Sequence, residues 1–464
     1  MDLLAQSAVE LRRRLARGDV SSLELLDTLE ARISDADQVV NALPTLCFER
    51  ARKKAESVSP DTPLAGLPVA IKDLNDVSGV RTTYGCQLYA DHVPETSDIL
   101  VERLERMGGI VYAKANTPEF GTGANTVNAV LGATRNPWNT NMSAAGSSGG
   151  SAAALASGTA WLATGSDMGG SLRNPASFCG IVGMRPTVGY VASNPSSGVI
   201  DTLSTNGPMA RNVRDLGLLF DAMSGHEPMD PLSLPDSPES FLAAAGRPML
   251  PDRVAFSMDL GFTPVDPRTR AVLEAAAAKL SAAGVEIVET TPDFSGLNDI
   301  FHVLRAHSYA SGLGDLAEQH GDQLNHNVLW NIREGQKLST RDIIRAEMER
   351  LKLVQRVQTF FQEFPILLCP ATVVPPYPVT DDHVAECDGH VFDNYYQWLA
   401  VGYAFTVGIC PALSLPCGLT TDGLPVGLQI AGASYEDARV ISAAARIEEI
   451  LCLDTTTPID PRTP

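Results

Sequence analysis

From residue 66 onward this chain alternates short apolar runs with helical patterns, and no other property constrains its fold as tightly. Residues 67–72 read as a short buried strand, 99–107 as an amphipathic helix stopped by Gly108-Gly109, and 110–115 as a strand again. Residues 151–163 are a run of small side chains, and its alanines let a helix lie close on a sheet. Strands at 253–257 and 285–289 flank a helix over 267–283. Further strands are expected at 366–369, 412–416 and 426–431, with a closing helix over 435–451. Such alternation predicts an α/β fold with helices on both faces of a largely parallel sheet. The first sixty residues read instead as helices, with Ser7/Glu10 and Ser21/Glu24 as capping-box pairs and Gly18 as a stop. The Pro-rich residues 228–251 are an excursion from the core, 297–364 are helical, and 370–378 form an extended loop.

Three glycine-marked segments in this framework carry chemistry. Lys72 ends Gly66-Leu-Pro-Val-Ala-Ile-Lys72-Asp73, Ser147 lies in Gly146-Ser147-Ser148-Gly149-Gly150-Ser151, and Ser171 closes Met168-Gly169-Gly170-Ser171. A serine hydroxyl becomes a useful nucleophile only when a base takes its proton. A lysine whose pKa is lowered by burial can be that base. Lys72 ends an apolar run, so it either pairs with Asp73 at an edge or is buried as a neutral amine. Ser147 and Ser148 read either as a turn capped by Ser151 or as hydroxyls that relay a proton and brace the loop. Paired glycines before Ser171 let backbone N–H groups approach a substrate oxygen, so Met168, Gly169, Gly170 and Ser171 are the oxyanion-hole candidates. Asp167 and Arg173 flank this loop and can fix it by hydrogen bonds or a charge pair.

Together these segments resemble the amidase signature family, whose members use a Ser–cis-Ser–Lys triad for acyl transfer. Arg135-Asn-Pro-Trp138, Arg173-Asn-Pro-Ala-Ser177, Gly183-Met-Arg-Pro186, Gly207-Pro-Met-Ala-Arg211 and Leu424-Pro-Val-Gly-Leu-Gln429 also look like family segments, in the expected order. The resemblance implies that Lys72 is the base, Ser147 the bridging serine behind a cis peptide, and Ser171 the nucleophile. It implies one large mixed, mostly parallel sheet covered by helices, hence a single domain over 1–464, overriding the two or three domains that length alone suggests. Its parts would be a helical region at 1–65, a signature core at 66–215, a variable substrate-pocket region at 225–400 and a return to the core at 401–464. The implied activity is hydrolysis of a carbon–nitrogen bond in a small amide, with esters and carbamates as related substrates and no cofactor or metal. The alternative is the glutaminase subunit of a glutamyl-tRNA amidotransferase. The N-terminal helices would cover the core or join a homodimer interface. Two positions depart from the family pattern: Ala145 stands where a glycine is usual, and Met168 where a small polar residue is.

Other classes fit less well. The net charge of −20 repels phosphate backbones, so nucleic acid is not an expected partner. No apolar run reaches membrane-span length and the N-terminus has no signal-peptide pattern, which favours a cytoplasmic protein away from membranes. Eight cysteines lie scattered without metal-ligand spacing, and buried thiols are expected rather than a zinc site. A Gly-x-Ser-x-Gly elbow centred on Ser148, with His302, His307 or His390 as base, lacks a good strand before Gly146. A nucleotide-binding Gly-x4-Gly-Lys loop is absent. For substrate contacts the aromatic candidates are Phe120, Trp330, Tyr395, Tyr396, Trp398 and Phe405. Residues 125–128, including Asn125 and Thr126, are expected on the acyl side. The scarcity of charged pocket candidates suggests a neutral amide, aryl amide or carbamate.

Overall fold

Among the described residues eleven strands form one mixed sheet, and helices pack against it. The structure, a computed structural model, describes residues 2–194, 200–453 and 456–463. The strand order is Thr45–Leu46, Ile110–Ala115, Pro68–Lys72, Leu162–Asp167, Thr205–Ala210, Val182–Arg185, Ala412–Leu419, Pro425–Ala431, Leu367–Pro370, Arg253–Phe256 and Glu286–Glu289. Parallel pairing occurs in two blocks. Pro68–Lys72 runs parallel to both of its neighbours, and so does Arg253–Phe256. Between the blocks, from Leu162–Asp167 across to Leu367–Pro370, every pairing is antiparallel.

Most outer strands lie within a residue or two of their expected positions, but three at the centre have no counterpart in the sequence pattern. Leu162–Asp167, Val182–Arg185 and Thr205–Ala210 contain Gly, Asp or Pro, which intrinsic preference excludes from strands. Burial on both faces overrides that preference. The expected helix over 151–163 is a helix only at Gly149–Ser157, where every residue is buried. It ends at Gly158, whose φ of 77° closes the last turn. The alanines beyond it lead into the next strand. Ser151 is not the cap: Ser148 holds that position, and the Ser151 hydroxyl donates to the Thr164 carbonyl at 2.7 Å. A Cβ on Gly150 would lie 2.3 Å from the Asn116 backbone nitrogen, so only glycine lets this helix approach the end of the Ile110–Ala115 strand.

The expected N-terminal helices are Ala8–Arg17, Ser22–Val40 and Phe48–Ala55. Ser21 and Glu24 complete a reciprocal capping box, whereas Ser7 supplies only its half. The buried Asp215 carboxylate accepts the Ala8 and Val9 N–H groups at 2.8 and 2.9 Å, which ties this region to the core. Residues 297–364 are the long helices Leu297–His320, His326–Gln336 and Thr340–Glu363. Among the described residues no helix is long and apolar enough to cross a membrane.

Candidate active site

The Pro68–Lys72 and Leu162–Asp167 strands run parallel side by side, and their C-terminal ends deliver Lys72, Ser166 and Asp167 to one place. Lys72 is fully buried. Its Nζ donates to the hydroxyls of Ser147 at 2.8 Å, Ser148 at 3.0 Å and Ser166 at 3.0 Å. Asp73, the expected edge partner, points elsewhere: it pairs with Lys114 at 2.9 Å and accepts the Thr83 hydroxyl at 2.6 Å. Burial without a carboxylate in contact lowers the Lys72 pKa to about 7, against the opposing attraction of Asp167. A substantial neutral fraction therefore exists near neutral pH.

The serine loop reaches Lys72 through a tight backbone path. Ala145 has a φ of 57° and the Gly146–Ser147 peptide is cis. Asn125 and Thr126 hold this path from behind. Ser143 Oγ donates to Asn125 Oδ1 at 2.7 Å and accepts the Ala145 N–H at 2.9 Å. Thr126 Oγ1 donates to the Ala145 carbonyl at 2.8 Å and accepts the Gly149 N–H at 3.1 Å. Both residues are buried and neither lines the pocket, so they brace the loop that carries Ser147. The segment before Gly146 is a strand, Asn139–Ser143, in a two-stranded ribbon outside the main sheet.

The third segment is anchored by Asp167. Its carboxylate accepts the N–H groups of Gly170 at 3.0 Å and Leu172 at 3.1 Å, and it takes the Arg173 guanidinium as a fork at 3.0 and 2.8 Å. Burial would raise this carboxyl, but the charges of Arg173 and Arg185 outweigh it and hold the pKa at about 2. Gly170 has a φ of 111°, and a Cβ there would meet Asn174 at 2.6 Å. One oxyanion candidate is thereby spent, because the Gly170 N–H already serves Asp167. The N–H groups of Met168, Gly169 and Ser171 have no partner among the described residues. The Ser148 N–H donates to the Ser171 carbonyl at 3.2 Å and joins the two serine loops.

Ser147 and Ser171 open on one pocket. Among the described residues no hydrogen bond joins their hydroxyls directly. Phe120, Tyr395 and Tyr396 line the pocket, as the sequence suggests. Trp330 packs behind the two tyrosines, while Trp398 and Phe405 are core residues. The elbow reading finds no support: Ser148 bonds to Lys72, and His302 bonds to the Tyr396 hydroxyl at 2.8 Å. Ser166 and Arg305 are among the pocket residues that are not sequence candidates. The sequence signal for Ser166 is its place directly before Asp167, in the segment that leads to Ser171. Arg305 comes from a helix with no motif, and it contradicts the expectation of an uncharged pocket.

A buried lysine bonded to two adjacent serines, beside a pocket shared with a third, is the constellation of a serine amidohydrolase. The Amidase family profile matches residues 24–441. The chain is 32% identical to an acylamidase of Rhodococcus erythropolis over 96% of its own length and 95% of the relative's. It is 35% identical to a glutamyl-tRNA(Gln) amidotransferase subunit from Thermus thermophilus, covering 95% and 96%. The structure of a 6-aminohexanoate cyclic dimer hydrolase superposes with a TM-score of 0.86 at 27% identity, covering 97% and 98%. A bacterial aryl acylamidase shares the fold with a TM-score of 0.89 at 24% identity, covering 96% of each chain. The chain belongs to the Amidase family, and it is an amide-hydrolysing enzyme.

Proposed function

We propose that this enzyme hydrolyses small amides through an acyl-enzyme on Ser171, with Ser147 and Lys72 as the proton relay. The observation that carries this reading is the 2.8 Å bond between Ser147 and a buried Lys72 amine whose pKa lies at about 7. Ser171 Oγ attacks the substrate carbonyl carbon. Ser147 takes the hydroxyl proton and passes its own to Lys72, which is neutral enough to accept it at physiological pH. The oxygen that gains charge is received by the N–H groups of Met168, Gly169 and Ser171. Lys72 then returns the proton through Ser147 to the leaving nitrogen, the C–N bond breaks, and the amine departs. Water attacks the ester on Ser171 by the same relay and frees the acid. Ser148 and Ser166 hold the amine in place, Asp167 and Arg173 hold the nucleophile's loop, and Asn125 and Thr126 hold the bridging serine's.

A second reading is favoured by the likeness to the amidotransferase: release of ammonia from glutamine for a partner complex. Glutaminase activity that appears only with partner subunits would select it. The net charge of −20 supports a free-standing hydrolase. The decisive measurement is steady-state hydrolysis of a simple anilide. Ser171→Ala is expected to lower kcat by about 10⁴-fold or more and to abolish labelling by a serine-reactive fluorophosphonate. Undiminished turnover would end the proposal.

A further inference from the structure

The helix Leu297–His320 presents Phe301, Arg305 and Tyr309 to the pocket on one face. Arg305 is only 7% exposed. Its Nε donates to Asn331 at 3.0 Å, and its Nη2 donates to the hydroxyls of Tyr395 at 2.7 Å and Tyr309 at 3.2 Å. The guanidinium also lies over the rings of Tyr309 at 4.7 Å and Tyr396 at 5.3 Å. Asn331 is an uncharged amide, and burial pushes the phenols of Tyr395 and Tyr396 upward, so neither supplies a counter-charge. Among the described residues no carboxylate lies within 4.0 Å of Arg305. Arginine does not shed its proton in proteins. A buried cation without a counter-charge is costly, and the fold has built one into the wall of a reaction pocket.

Its fourth contact shows where the missing charge belongs. Among the described residues Nη1 reaches only the thioether of Met168, at 3.3 Å, and sulfur is a weak acceptor. Met168 belongs to the segment that ends at Ser171, so this underused edge of the guanidinium faces the reacting end of the pocket. We propose that the enzyme acts on amides with an arm that ends in a carboxylate, which the Nη1 edge of Arg305 receives beside Met168. The proposal rests on the hydrolase reading above and adds the substrate class. Arg305 makes and breaks no bond. It selects and positions the anionic arm while water is added across the C–N bond. The competing role is structural, with Arg305 merely ordering Tyr309, Tyr395 and Asn331.

The test uses the full chain and two matched pairs of anilides. One pair differs by a carboxylate on the acyl arm (glutaranilic acid against pentananilide), the other by a carboxylate on the amine arm (4-acetamidobenzoate against 4-methylacetanilide). The wild type is expected to favour one acid over its neutral match by roughly 10- to 100-fold in kcat/KM, mainly through KM. Arg305→Gln should bring that ratio close to one, and Arg305→Lys should restore part of it. Protection of Ser171 from fluorophosphonate by each probe gives the same comparison where turnover is slow. A wild type that prefers neither acid, in turnover or in protection, overturns the proposal. So does an Arg305→Gln variant that loses acid and neutral substrates equally. If that variant does not fold, the wild-type comparison alone decides. Failure of Ser171 to react with fluorophosphonate at all would instead strike the hydrolase reading.

Discussion

Lys72 and Lys114 are neighbours across one parallel pairing of the sheet, where Ile71 lies opposite Lys114, and both are fully buried. They differ in what meets the amine. Lys114 donates to the Asp73 carboxylate at 2.9 Å and the Thr82 hydroxyl at 2.7 Å. Lys72 meets hydroxyls alone. Burial lowers both pKa values, but at Lys114 the charge of Asp73 opposes the fall, while at Lys72 only the more distant Asp167 does. One carboxylate in contact thus separates a cation that holds the fold from an amine that can exchange a proton near neutral pH. By pairing with Lys114, Asp73 also leaves Lys72 uncompensated.

Removing each lysine should expose that division of labour. Lys72→Met is expected to cut kcat/KM by about 10⁴-fold while the protein stays folded, because a methionine fills the space and removes a costly amine. Circular dichroism and anilide turnover would check both halves; a variant that retained turnover would show that Lys72 is not the base. Lys114→Met strikes the fold instead. It leaves the Asp73 carboxylate buried and unpaired, and a broken buried pair costs about 3–5 kcal/mol. Denaturant unfolding should show that loss, and adding Asp73→Asn should recover part of it, since partners in one ion pair are not additive. Full additivity of the two substitutions would mean that the pair does not couple.

The two lysines also mark what the sequence can disclose. Lys72, Ser147 and Ser171 each stand in a glycine-marked segment that local pattern singles out, and the structure opens Ser147 and Ser171 on one pocket with Lys72 buried behind Ser147. Pairing Lys72 with Asp73 is a fair local reading, but consecutive side chains at a strand end face opposite ways, and the true partner of Asp73 stands 41 positions along the chain. Arg305 is illegible for the same reason, because its meaning comes from Tyr395, Asn331 and Met168, which only folding brings together. The three central strands are hidden by their own composition. Leu162–Asp167 carries Gly, Ser and Asp where it ends at the pocket, and such residues read poorly as sheet.

The contrast between the lysines should appear in pH dependence. The base must be neutral to accept a proton, so kcat/KM of the wild type should rise through an acid limb with a midpoint near 7, set by Lys72. Stability carries the same signature with smaller amplitude. The folded state holds Lys72 at about 7, below its ordinary 10.5, so between those values the unfolded chain binds more protons. Stability must then rise with pH across that window, and the contribution is fully lost below about 7. Glu448, which burial raises to about 7, contributes a slope of the opposite sign below that pH, but it is common to wild type and variant. Subtracting the Lys72→Met stability profile from the wild-type profile therefore isolates the lysine. The difference should be flat below pH 7 and climb in favour of the wild type from 7 to 10. A flat difference throughout would mean that the amine is not depressed in the folded state, and the acid limb in turnover would then have to belong to another group.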